Sequence, residues 1–236
     1  MGHPGTSGCG VLRVSDRLGL HGCEGSGEEA AGTARRSVIV KICGITSVED
    51  GALSLELGAN ALGFNFWPSS PRYIAPRQAA EMISELSRRF DRGTFLTVGI
   101  LVGIDGWSEA PTEVLQFHGV SDPRCLPANA RRTWVAVGPE NADLFDDWEI
   151  VIDGSWGQGK VGDWERVARL GRPYILSGGL SPENVYSAIE RLRPAGVDVC
   201  SGVEKNPGCK DPEKLKRFLG EVKRATSHGT TRTSRG

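Results

Sequence analysis

The sequence predicts an α/β fold, a (β/α)8 barrel of the TIM type with a shortened or missing third helix. Three observations predict it. Eight short apolar runs, rich in Val, Ile, Leu and Phe, recur along the body of the chain. Near-continuous apolar runs of this length are how strands buried on both faces read, which means a parallel sheet covered by helices. Helix-like stretches fall between the runs, and repeated strand-then-helix units point to a closed barrel rather than a doubly wound open sheet, the second-ranked architecture.

Taken in order, strands are expected at Val38–Cys43, Ala61–Phe66, Thr97–Val102, Val114–His118, Thr133–Val137, Ile150–Asp153, Tyr174–Ser177 and Val197–Cys200. After the first, Ser47 with Asp50 three residues on reads as a capping box, and Gly58 can close that helix. Pro76 suits a first helical position, and Ala79, Ile83, Leu86 and Phe90 then recur on one face. Only residues 103–113 separate the third strand from the fourth, and they contain Gly103, Gly106 and Pro111, so the third helix has room for one or two turns at most. Ser181-Pro182 reads as a cap followed by Pro in the first turn, with Val185, Ala188, Ile189 and Leu192 behind it. Asp211-Pro212 repeats the device before Leu215, Phe218, Leu219 and Val222. The barrel is expected over residues 37–224. Residues 1–36, glycine-rich and without sustained period, read as a flexible extension, and residues 225–236 as a flexible tail.

Lys and Arg number 28 against 29 Asp and Glu, a balance that offers no general attraction to nucleic acid or a membrane surface. A small phosphorylated substrate needs only a local cationic or amide-lined pocket. No apolar run reaches the roughly 18 residues of a membrane span, and no secretory signal is visible at the start. The six cysteines form no C-x-x-C pair and match no zinc spacing. They read as free thiols in a reducing, cytoplasmic compartment, with no metal expected.

In a barrel the active site lies at the carboxyl ends of the strands. The expected strands end or continue in Cys43-Gly44, Ser70-Pro71-Arg72-Tyr73, Gln116-Phe117-His118-Gly119, Asp153-Gly154, Ser177-Gly178-Gly179 and Cys200-Ser201-Gly202-Val203-Glu204. The glycine turns Gly178-Gly179 and Ser201-Gly202 follow the seventh and eighth strands, the usual phosphate position in this fold, where backbone N–H groups can approach an anion. Read singly, either is also an ordinary tight turn. Cys43 is either a small core residue or a thiolate held by nearby positive charge. Asp153, at the end of an apolar run, must be paired, solvated or functional, since an unpaired buried carboxylate is costly. Arg72 is either a surface charge with a buried stem or an anion clamp, and His118 either a core histidine or a substrate contact.

Several of these segments resemble one family. Lys41-Ile42-Cys43-Gly44-Ile45-Thr46 with Glu49-Asp50, and Ala61-Leu62-Gly63-Phe64-Asn65-Phe66 with Ser70-Pro71-Arg72-Tyr73, are similar to the first two units of phosphoribosylanthranilate isomerases of tryptophan biosynthesis. Gln116-Phe117-His118-Gly119, Ser177-Gly178-Gly179-Leu180 with Pro182-Glu183-Asn184-Val185, and Gly196 to Glu204 followed by Pro207-Gly208 and Lys210-Asp211, resemble later units. The resemblance runs from about Val38 to Leu219. It implies an Amadori rearrangement of N-(5-phosphoribosyl)anthranilate, without metal or organic cofactor, by a monomer or homodimer.

The resemblance further implies Cys43 as general base, Asp153 as general acid, Arg72 on the anthranilate carboxylate, and Gly178, Gly179, Ser201 and Gly202 around the phosphate. The chemistry asks for a protonated carboxyl to open the ribose ring and a thiolate to take the C2 proton. Three features depart from the family pattern: Cys200 stands where Ser is usual, the sixth-strand loop reads Gly154-Ser155-Trp156-Gly157-Gln158-Gly159-Lys160, and the unit between strands three and four is short. Two other functions compete: another phosphosugar isomerase or epimerase, and a non-catalytic barrel that binds a phosphometabolite.

Overall fold

A computed structural model describes residues 38–91, 93–153 and 164–228. Eight parallel strands close into a barrel in sequence order: β1 (Ile39–Ile42), β2 (Ala61–Asn65), β3 (Leu96–Val102), β4 (Val114–His118), β5 (Thr133–Val137), β6 (Glu149–Asp153), β7 (Ile175–Ser177) and β8 (Gly196–Val199), with β8 returning to β1. All eight expected strands are present, with ends shifted by a residue or two. The α-helices are α1 (Val48–Glu56), α2 (Pro76–Arg89), the single turn α3 (Trp164–Val167), α4 (Val185–Leu192) and α5 (Pro212–His228). A small antiparallel pair, β9 (Glu204–Asn206) and β10 (Cys209–Lys210), lies between β8 and α5. The expected N-terminal extension, the sixth-strand loop from Gly154 to Lys160 and the end of the tail fall outside the described residues.

Strand alternation divides the apolar residues into two cores. Ile39, Ala61, Val98, Val114, Trp134, Val151 and their neighbours pack inside the barrel. The alternate positions, such as Ile42, Phe64, Phe117, Ile152 and Val199, face outward onto the helices in a second, larger cluster. This period-two division is what a barrel wall demands.

The helix signals hold at most positions. Ser47 Oγ accepts from Asp50 N at 3.2 Å, but the Asp50 carboxylate does not reach back as in a full capping box. It accepts instead from Lys210 N at 3.0 Å, tying α1 to β10. Pro76 opens α2 in its first turn. The apolar residues expected on α4 and α5 are all buried. Asp211 caps α5, accepting from Glu213 N and Lys214 N. The Ser181-Pro182 signal marks a turn rather than the helix start: Ser181 Oγ accepts from Glu183 N, and α4 begins at Val185. Helix α5 continues through His228, with Ala225 buried against the core, so it passes the boundary at 224 that composition indicates.

The third helix is reduced to a 3-10 turn at Trp107–Glu109, as its short segment requires. The shortening goes further than expected. The crossovers after β4 and β5 also hold only 3-10 turns, at Pro123–Cys125 and Ala142–Phe145. Other groups cover this side of the wall. Phe66 and Thr112 pack directly on β3 at Gly99, where a Cβ would come within 2.7 Å of the Phe66 ring. Arg172 donates to the carbonyls of Phe145 at 3.0 Å and Trp148 at 2.5 Å, filling the gap below the fifth crossover.

Candidate active site

Cys43 follows β1, and its N–H donates to Val199 O at 2.8 Å, which continues the β1–β8 ladder by one step. Ile42 and Val199 face outward, so Cys43 and the next residue of the other strand, Cys200, both turn toward the barrel mouth. Below them, inside the barrel, Lys41 Nζ and Asp198 Oδ2 are 2.9 Å apart in a buried ion pair, and Ser177 Oγ donates to the same Asp198 oxygen at 3.2 Å. Burial works to strip the Lys41 proton, but Asp198 and the Cys43 thiol outweigh it and hold the ammonium above its ordinary value.

That fixed charge acts on Cys43. Contact with the Cys200 thiol is the largest influence on the Cys43 thiol; burial opposes it, and Lys41 and Lys210 reinforce it. The result is a Cys43 thiol lowered to about 7, so a large fraction is thiolate at neutral pH. Cys200 moves the opposite way, raised by its contact with Cys43 and by burial.

Arg72 lies across Gly44, where a Cβ would sit 2.6 Å from the Arg72 Cδ; the Gly44 φ of +73° adds a second reason for glycine. The guanidinium forks onto Glu204, with Nε 2.9 Å from Oε1 and Nη2 2.6 Å from Oε2. Glu204 also accepts from Lys210 Nζ at 2.9 Å and from Gly208 N at 3.2 Å. Burial pushes the Glu204 carboxyl up, yet Arg72 and Lys210 together hold it below the usual carboxylate range. Lys210, wholly enclosed, also donates to Cys43 O. Glu204, Lys210, Lys41 and Asp198 carry no site role in the sequence-based expectation, yet they form the polar frame around Cys43 and Arg72. Strand alternation could have found Lys41 and Asp198, since each occupies an inward position in an apolar run.

His118 ends β4 facing inward, 2.9 Å from Gln116 Nε2 through its own Nε2. Burial first, and the Lys41 charge second, lower its pKa, so the ring is neutral at pH 7. Asp153 and Asp198 both bear on the same ring in the opposite direction, which places Asp153 in the electrostatic neighbourhood of His118. Asp153 ends β6, in register with Ser177 of β7 and on the inward parity of Val151. Three steps around the ring, from β1 through β8 and β7 to β6, separate the Cys43 and Asp153 strands. Lys41 and Asp198 bear on both Cys43 and His118, so one charge cluster underlies the whole mouth.

The two glycine turns are one packed unit. Gly178 and Gly179 have φ of +86° and +67°. A Cβ on Gly202 would lie 1.9 Å from Leu180 O, so the loop after β8 rests backbone-to-backbone on the loop after β7. Asn184 braces the latter, accepting from Ser181 N and donating to Gly179 O, both at 2.8 Å. Three surface hollows of about 200, 300 and 200 Å3 lie elsewhere, beside Val38 and Gly58, beside Arg172 and Tyr174, and beside Phe95 and Glu113. All three sit at the amino ends of the strands, away from this chemistry.

Known proteins resemble the chain in sequence and fold. The family described as N-(5'-phosphoribosyl)anthranilate (PRA) isomerase matches residues 40–221. The chain is 39% identical over 209 residues to the N-(5'-phosphoribosyl)anthranilate isomerase of Magnetococcus marinus, which covers 80% of this chain and 97% of that protein. The crystal structure of phosphoribosyl anthranilate isomerase from Thermotoga maritima aligns with a TM-score of 0.69 at 35% identity, over 80% of this chain and all (100%) of that one. A phosphoribosyl anthranilate isomerase solved in complex with reduced 1-(o-carboxyphenylamino)-1-deoxyribulose 5-phosphate aligns with a TM-score of 0.68 at 35% identity, over 80% of this chain and 100% of that one. With the matched span running from β1 into α5, the chain belongs to the phosphoribosylanthranilate isomerase family.

Proposed function

We propose that the chain converts N-(5-phosphoribosyl)anthranilate to 1-(2-carboxyphenylamino)-1-deoxyribulose 5-phosphate, with Cys43 as base and Asp153 as acid. The observation that carries this reading is the Cys43 thiol, turned into the mouth and lowered to about 7 beside Lys41 and Lys210. Asp153 gives its proton to the ribose ring oxygen as the C1–O bond breaks, which leaves an iminium between C1 and the anilino nitrogen. The iminium acidifies the C2 hydrogen, and the Cys43 thiolate removes it. The C2–H electron pair becomes the C1–C2 double bond of an enolamine. Protonation at C1 and loss of the enol proton complete the ketone.

The double-glycine turn and Ser201-Gly202 offer backbone N–H groups to the phosphate, at the rim position where this fold commonly binds one. Arg72 presents the edge of its guanidinium not taken by Glu204 to the anthranilate carboxylate, with His118 on the same rim. No described helix is long and apolar enough to cross a membrane. A substrate with a phosphate and a carboxylate does not cross a bilayer unaided, which supports a cytoplasmic setting.

The test is turnover of N-(5-phosphoribosyl)anthranilate by the purified chain and by Cys43→Ser and Asp153→Asn. Each substitution is expected to lower kcat by roughly 10²–10⁴-fold while circular dichroism stays unchanged. Near-normal turnover in either variant removes that residue from its role.

A further inference from the structure

We propose that Cys43 and Cys200 form a peroxide-sensitive dithiol at the barrel mouth, in which Cys43 is the site of oxidation and Cys200 closes a reversible disulfide onto it. Strands β1 and β8 run side by side, with Ile42 opposite Val199 as their last paired residues. Cys43 and Cys200 come next on each strand. Adjacent strands lie about 4.8 Å apart, inside the Cα separation of about 4.4–6.8 Å that a disulfide spans. Both cysteines are unpaired, and each residue is partly exposed at the barrel mouth.

Glycines open the space around both sulfurs. A Cβ at Gly44 would sit 3.1 Å from Cys200 Sγ, and one at Gly63 would sit 3.0 Å from Cys43 Sγ. Placed side by side, each thiol is the largest single influence on the other. Cys200 Sγ also lies 3.8 Å from Glu204 Oε1, a weak contact beside the strong Arg72 and Lys210 bonds to the same carboxylate.

The asymmetry of the pair sets the order of events. The Cys43 thiolate attacks one peroxide oxygen; the S–O bond forms, the O–O bond breaks and hydroxide leaves. Sulfur is oxidised by two electrons and peroxide is reduced. Cys200 is held protonated mainly by its contact with the Cys43 thiolate. Once Cys43 is a neutral sulfenic acid, that restraint is gone; burial and Glu204 still favour the protonated thiol, and the Lys210 charge opposes them. Cys200 gives up its proton as its sulfur attacks the Cys43 sulfur. The S–S bond forms, the S–O bond breaks, and the departing hydroxide takes the proton as water. A small dithiol reverses the step by exchange. The consequence for activity rests on the base role proposed above, because a disulfide removes the thiolate that would take the C2 proton.

The experiment treats the reduced full chain with hydrogen peroxide, blocks remaining thiols, and maps peptides by mass. A cross-linked Cys43–Cys200 peptide, lighter by two hydrogens and abolished by dithiothreitol, is expected. Isomerase turnover should fall as the link accumulates and return on reduction. In Cys200→Ser, peroxide should instead drive Cys43 to a sulfinic acid, heavier by two oxygens, that dithiothreitol does not restore. Direct sulfinic acid formation in the unsubstituted chain, or linkage of Cys43 to Cys125 or Cys209, overturns the proposal. A Cys43–Cys200 link with undiminished turnover upholds the dithiol and overturns the base assignment.

Discussion

A thiol serves as base only in its ionised form, so its environment decides the pH at which it works. Lys41 and Lys210 favour the Cys43 thiolate, Asp198 disfavours it, and the balance with the Cys200 contact and burial brings it to about 7. The ionised form of the base is the working one, so the rising limb of kcat/KM should have a midpoint of about 7, and loss of the general acid's proton sets the falling limb. A pH–rate profile of the free enzyme checks this, and a rising limb centred near the ordinary thiol value would show that the surrounding charges do not lower the Cys43 thiol. Arg72 makes a second prediction. Its Nε and Nη2 are both engaged by Glu204, which fixes the plane of the fork. Lysine cannot hold Glu204 and a substrate carboxylate in one plane, so Arg72→Lys should raise KM about tenfold with a smaller change in kcat. An unchanged KM would leave the carboxylate contact without support. Cys43, Arg72, His118 and Asp153 stood out as candidates in the sequence because they lie at or beyond strand ends within recognisable motifs. Lys41 and Asp198 were not singled out because each sits mid-strand, and only the partnership across β1 and β8 shows why a charge is tolerated there.

Elements were legible where the period was unbroken. The amphipathic stripes of α2, α4 and α5 and the eight apolar runs all fold as their spacing predicts. The crossovers after β4 and β5 were harder to read, since nothing in a short polar segment says what will cover the wall in place of a helix. Pro123, Pro127 and Pro139 fall within these segments and discourage helix propagation. Coverage comes from far along the chain: the Arg172 guanidinium, its side chain 13% exposed, reaches the carbonyls of Phe145 and Trp148 and the Asp146 carboxylate. Arg172→Ala would leave partly buried carbonyls without donors, at a cost of about 1–3 kcal/mol for each group left unsatisfied. Urea unfolding should therefore show a loss of roughly 2 kcal/mol or more with an unchanged m-value. A loss below about 0.5 kcal/mol, the ordinary surface range, would mean that water satisfies these carbonyls equally well and that the guanidinium is not what covers the wall.

At the scale of the molecule, the barrel separates two polar sites by its apolar inner layer. The carboxyl ends of the strands carry Cys43, Asp153 and the glycine loops. The amino ends carry a different cluster, in which Glu149 at the start of β6 accepts from the Trp134 indole and forms a fork with Arg132 at 3.0–3.2 Å. Val98, Val114, Val151 and Ile175 fill the interior between them. If the lower cluster serves stability alone, breaking it should cost folding energy and leave the chemistry intact. The Glu149 side chain is 2% exposed, and its removal strands a guanidinium and an indole N–H that it now satisfies. Glu149→Ala should therefore destabilise the chain by about 3–5 kcal/mol, the range for breaking one partner of a buried pair. In conditions where the variant remains folded, kcat per folded molecule should stay within about twofold of the parent, since one such factor corresponds to only about 0.4 kcal/mol in the barrier. Denaturant unfolding and turnover measured on the same preparation decide the matter. A tenfold fall in kcat with little lost stability would mean that the inner layer transmits strain from floor to mouth, and the division of labour between the two ends would not hold.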